Sequence, residues 1–192
     1  MQYFLDVVGS FIIGGIILLI LVNLNLSSSN SAAENLKNNI SQSNLTSTAQ
    51  IIENDLYKIG YRITGEWIVV ADSTELKFFA DIDNNGIKDS IHYYIGETSQ
   101  LFSTFNPNDR LLYRVVNNET PKSSNVVVDF SFSYFDSLGA MLSYTSLKNA
   151  SSRRKIKTIT VNMYVESTEP VEGIYPGVAW KKTIIPKNLK FN

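Results

Sequence analysis

Asp81, Asp83, Asn85 and Asp89 stand at positions 1, 3, 5 and 9 of a calcium-loop pattern, with Gly86 at position 6, where such a loop must turn sharply. Carboxylate and amide oxygens are the ligands a hard cation such as Ca²⁺ takes. The twelfth position, normally a bidentate glutamate, is His92, so an ion here would bind weakly or be completed from elsewhere. The same residues also read as a hairpin turn, because Asn84-Asn85-Gly86 tolerate left-handed backbone. Both readings stay open at this stage.

Other reactive constellations are scarce. His92 is the single histidine, which excludes His-rich metal sites and argues against a Ser-His-Asp triad. Its place between Ile91 and Tyr93 predicts a strand residue beside Tyr94. No Gly-x-Ser-x-Gly elbow, phosphate loop or paired His and carboxylate occurs. An anchored hydrolase built on Asp81, Asp83 and Asp89 would lack both base and nucleophile. We therefore expect no catalytic residue and no enzyme.

With 17 basic and 18 acidic residues the net charge is -1, so no nucleic-acid or polyanionic partner is expected. The chain has no cysteine and hence no disulfide. Arg153, Arg154, Lys155 and Lys157 form one basic cluster, and Lys181, Lys182, Lys187 and Lys190 another. These read as solvated strand edges or as partners for Glu34, Glu53 or Asp55 of another subunit. Asn39, Asn44, Asn118 and Asn149 begin N-x-[ST] sequons, a common coincidence in a chain this rich in Asn and Ser.

The elements that must carry these residues fall into three stretches: 1–30, an apolar helix; 31–63, an amphipathic helix; and 64–192, a β-rich head. Residues 7–22 carry no charge, and a helix from Tyr3 to about Val22 matches the roughly 20 residues that cross a bilayer core. A cleaved secretory signal would use the small residues Ser31-Ala32-Ala33, but no Lys or Arg precedes the apolar run. An uncleaved single-pass anchor is the second reading. Asp6 falls at the headgroup layer in either. Gly9, Gly14 and Gly15 each cost roughly 1 kcal/mol within a helix and permit close helix–helix approach.

Asn23, Asn25 and Ser27–Ser31 form a helix-weak joint. Beyond it Leu45, Ala49, Ile52, Leu56, Ile59 and Ile63 follow the 4, 3, 4, 3, 4 spacing that lays one helical face on a sheet. Gly60 is the expected terminator. An unbroken helix to that point would run ~85 Å, too long for a compact globule, so part of it must project. Strands are expected at 67–70, 76–81, 89–95, 111–116, 126–134, 141–144, 159–165 and 178–185, with a turn at Asp136–Gly139 and Pro186 closing the last. The short spacings imply a largely antiparallel sheet packed on the helix, an α+β fold.

Four stretches then carry a resemblance. Ile51-Ile52-Glu53-Asn54-Asp55-Leu56 with Gly60-Tyr61-Arg62, and Phe79 to Gly86 followed by Ile91-His92-Tyr93, are two of them. Phe132-Ser133-Tyr134-Phe135-Asp136 with Gly139, and Ile184 to Leu189, are the others. In order and position these resemble the minor pilins of type IV pili and the minor pseudopilins of type II secretion systems. Two departures stand against that pattern: no basic leader with a glycine precedes the apolar run, and Leu5, not a glutamate, holds the fifth place.

The resemblance implies a pilin-like plan in which a long N-terminal helix, half membrane and half amphipathic, lies on a mainly antiparallel head. It offers a third reading of the apolar run, as a helix that leaves the inner membrane during assembly. Partners would be further copies or other pilin-like subunits in a helical filament at the cell surface or in the periplasm. Asp6 would pair with the amino terminus of a neighbouring subunit, and the joint at 23–31 is where helix melting is expected. The rival is a solitary membrane-anchored β domain that binds a protein or polysaccharide.

Overall fold

The computed structural model describes residues 2–101, 104–167, 169–170 and 173–191. The side chains of Leu5 and Lys190, both named above, lie outside the described residues. Helix α1 runs from Gln2 to Tyr57. The chain divides into two compact units, Met1–Ile40 and Ser41–Asn192.

Among the described residues the first unit is helix alone. It is long and apolar enough to cross a membrane, and none of its most apolar stretch is buried. The apolar side chains from Val7 to Val22 are 39% to 78% exposed. Helix continues unbroken through the joint at 23–31, so the polar run there weakens helix propensity without ending the helix.

The second unit is an α+β head. Leu45, Ala49, Ile52 and Leu56 of α1, with Ile59 just beyond it, are buried as the spacing requires. Helix α1 stops at Tyr57, and a turn carries the chain to Gly60 at φ +73°. A Cβ on Gly60 would sit 2.8 Å from Trp67 Cδ2. Both the conformation and the contact therefore require glycine. Ile63 is only partly buried, so the helical stripe ends before it.

Two antiparallel sheets cover this helix segment. In the first, β1 (Ile68–Ala71), β2 (Glu75–Ala80), β3 (Asp89–Ile95), β4 (Arg110–Val116) and β5 (Lys122–Val127) follow in chain order. In the second, β6 (Asp129–Phe135), β7 (Thr158–Glu166) and β8 (Gly177–Ile184) do the same. A shared core joins them, with Leu76, Phe78, Ile91, Tyr93 and Leu112 from one and Phe130, Phe132, Tyr134 and Val161 from the other.

Three expectations are corrected here. The run from Val126 to Tyr134 is not one strand: Val128 interrupts it and donates its N–H to the Tyr164 carbonyl at 2.8 Å. Burial switches phase at that point, from Val127 to Phe130, Phe132 and Tyr134, because the chain passes from one sheet to the other. The turn at Asp136–Gly139 forms, with Asp136 Oδ1 accepting from Leu138 and Ala140 N–H. Residues 141–144, however, give only a bridge between Phe135 and Met141 before helix α2 (Tyr144–Leu147) and helix α3 (Ala150–Arg153). Two sheets stand where a single one was expected.

Candidate functional site

The acidic residues singled out above meet in the loop joining β2 to β3. The ladder closes at Ala80 opposite Asp89, which places Asp81 and Asp89 side by side at the mouth of the loop. Asn84 (φ 62°) and Gly86 (φ 82°) turn the chain through left-handed backbone. One carboxylate oxygen from each of Asp81, Asp83 and Asp89 lies within 4.8 Å of the others. Among the described residues no other three acidic, histidine or cysteine side chains converge this way.

The three carboxylates differ in what already satisfies them. Asp83 is exposed and accepts from Asn85, backbone N–H at 3.1 Å and side-chain amide at 2.8 Å. Asp89 is buried and accepts from Ile82 N–H at 2.9 Å and from the Asn117 amide at 2.6 Å. Asp81 is fully buried. Its Oδ2 accepts from Gly86 N–H at 3.1 Å, with Arg62 Nε 3.6 Å away, while its Oδ1 has no hydrogen-bond partner. His92, at the twelfth loop position, is turned to Glu75 instead, 2.7 Å away, with its ring against Tyr94.

The loop is tied to the end of the long helix. Asp81 N–H donates to the Tyr61 carbonyl at 3.0 Å, Lys58 Nζ to the Ile82 carbonyl at 3.1 Å, and Arg62 Nη1 to the Asn84 carbonyl at 3.5 Å. Its position is thus set from the sheet ladder and from the helix terminus together.

The residues assigned to assembly lie in the first turns of α1. Gly9, Gly14 and Gly15 have nothing within 4 Å of where a Cβ would stand. Crowding within the chain therefore does not explain them. Asp6 is exposed, and its carboxylate forms no ion pair with any described residue. Ser10 Oγ caps its backbone carbonyl at 2.8 Å.

Sequence reading missed one cluster. Asp55 is buried where α1 faces the first sheet. Its carboxylate takes Arg114 Nε at 2.6 Å and Nη2 at 3.2 Å, a two-pronged pair, and the Tyr93 hydroxyl at 2.6 Å. Burial works against the guanidinium charge, but the Asp55 hydrogen bond and charge outweigh it and hold Arg114 above its ordinary pKa. An acidic residue inside an apolar helical stripe, between Ile52 and Leu56, is the signal that could have found it. Glu53 likewise meets Lys182 within the chain at 3.2 Å. Asp55 and Glu53 are thereby engaged without a second subunit.

What the arrangement can do is hold a cation at the hairpin and present an apolar helix to its surroundings. No protein-family profile, no curated protein and no solved structure matches this chain.

Proposed function

We propose that this chain is a structural subunit of a pilin-like filament. The observation that carries the reading is the uncovered apolar surface from Val7 to Val22, borne on a helix whose far end is built into an antiparallel α+β head. Apolar area on that scale leaves water only by entering a bilayer or by packing against other helices. A pilin-like subunit does both in turn, spanning the inner membrane once and then re-burying the helix among further copies at the cell surface. Open space at Gly9, Gly14 and Gly15 supports the second step. The reading assigns the chain no catalysis.

Asp6 provides the test. A carboxylate in a bundle of apolar helices is tolerable only with a cationic partner, such as a neighbouring amino terminus. Asp6→Ala is expected to leave membrane insertion intact and to lower the yield of protein sheared from the cell surface by roughly tenfold or more. Equal sheared yields from parent and variant would remove the pairing role. Absence of sheared protein from the parent would favour the solitary anchored domain.

A further inference from the structure

We propose that the β2–β3 hairpin is a Ca²⁺ site, with Asp81, Asp83 and Asp89 as its carboxylate ligands and Asn85 at the fifth loop position. The inference is independent of filament assembly. A hairpin turn alone explains part of this loop. Asp83 and Asn85 satisfy one another, and left-handed Asn84 and Gly86 close the turn. It does not explain Asp81.

Capping the Gly86 N–H needs one oxygen, which an asparagine would supply without charge. Asp81 instead brings a full carboxylate to a fully buried position, and Oδ1 is left without a partner. Arg62 is the nearest cation, but it lies 3.6 Å from the other oxygen and its side chain is 49% exposed. Two more carboxylates stand within 4.8 Å. A buried, half-satisfied anion among like charges is unfavourable on both counts. A divalent cation at the shared centre reverses both.

Ligand chemistry selects the ion. Two Ca–O bonds allow ligand oxygens up to about 5 Å apart, which fits the observed limit of 4.8 Å. Three carboxylates and an amide on one loop are an all-oxygen set for a larger ion with irregular coordination. Mg²⁺ keeps its waters and demands a tighter octahedron. His92 is held by Glu75 and contributes nothing. The missing twelfth ligand places the affinity with extracellular modules, in the range of about 10⁻⁴–10⁻³ M.

The test uses the full chain in non-ionic detergent, stripped of metal with a chelator. In about 10 mM Ca²⁺ the thermal midpoint of the parent is expected to rise by roughly 3–10 °C, and in equal Mg²⁺ by less than half of that. Asp83→Asn retains an oxygen for the Asn85 N–H and keeps the exposed turn, yet is expected to lose most of the Ca²⁺ shift. Asp81→Asn is expected to match or exceed the parent without metal, since it removes the unpartnered buried charge, and to show no Ca²⁺ shift. An unchanged parent midpoint in Ca²⁺ overturns the site. So does a Ca²⁺ shift of the same size in the parent and Asp83→Asn, which would put binding elsewhere.

Discussion

Tyr93 and Tyr134 show how far single side chains in the head depart from their behaviour in water. Burial pushes the Tyr93 phenol well above its ordinary pKa, and the charge and hydrogen bond of Asp55 push it further, against the smaller pull of Arg114. Tyr134 is raised first by burial, then by Tyr144, Asp72 and Glu75. A group raised in the folded state contributes stability that is complete below its unfolded pKa and is lost as pH climbs toward the folded value. Stability is therefore expected to be flat through neutral pH and to fall above about pH 10, by up to about 1.4 kcal/mol per pH unit for each phenol. Denaturant unfolding as a function of pH checks this. Tyr93→Phe and Tyr134→Phe are each expected to lower stability at neutral pH by deleting a hydrogen bond, and each should flatten the alkaline limb. A limb as steep as the parent's in both variants would show that these phenols do not drive it.

At the scale of elements, the turn between α1 and β1 rests on Gly60. Gly60→Ala combines a left-handed alanine with a Cβ 2.8 Å from the Trp67 ring, and is expected to cost about 2–4 kcal/mol. Gly86→Ala has the same sign of φ but open space around it, so about 1–2 kcal/mol is expected. Equal losses in chemical denaturation would mean that the Trp67 contact is not limiting. Elements defined by local periodicity were legible in sequence. The helical stripe from Leu45 to Ile59 and strand β3 at Asp89–Ile95 were visible as spacing. The region 126–134 was misread because alternation continues across Val128 while its phase changes, and a sequence does not reveal that a chain has changed sheets. Likewise the loop spacing gave Asp81, Asp83, Asn85 and Asp89. The burial of Asp81 and its free oxygen depend on Tyr61 and Asp89, brought beside it by the fold.

For the whole molecule, the proposed filament would draw chiefly on burial of the apolar surface from Val7 to Val22. On the proposed filament reading, Gly14 and Gly15 separate two duties, folding a head and packing a helix. Gly14→Ile or Gly15→Ile places a branched side chain where no atom of the chain stands within 4 Å. The thermal midpoint of the head is expected to move by less than about 1 °C, as for surface changes distant from a core. Sheared surface protein should nonetheless fall by roughly tenfold or more, because bulk prevents close helix approach. Undiminished yields would mean that these glycines do not face a neighbouring helix.

The pairing of Arg114 with Asp55 has a mechanical side. With no disulfide in the chain, a pull along α1 enters the head through the backbone leading into β1 and through non-covalent contacts. Tyr93 and Arg114 face each other in the β3–β4 ladder, and both grip the same carboxylate near the last turn of the helix. Tension on the helix is thus shared with two adjacent inner strands at one rung, rather than falling on β1, the edge strand that follows the helix, alone.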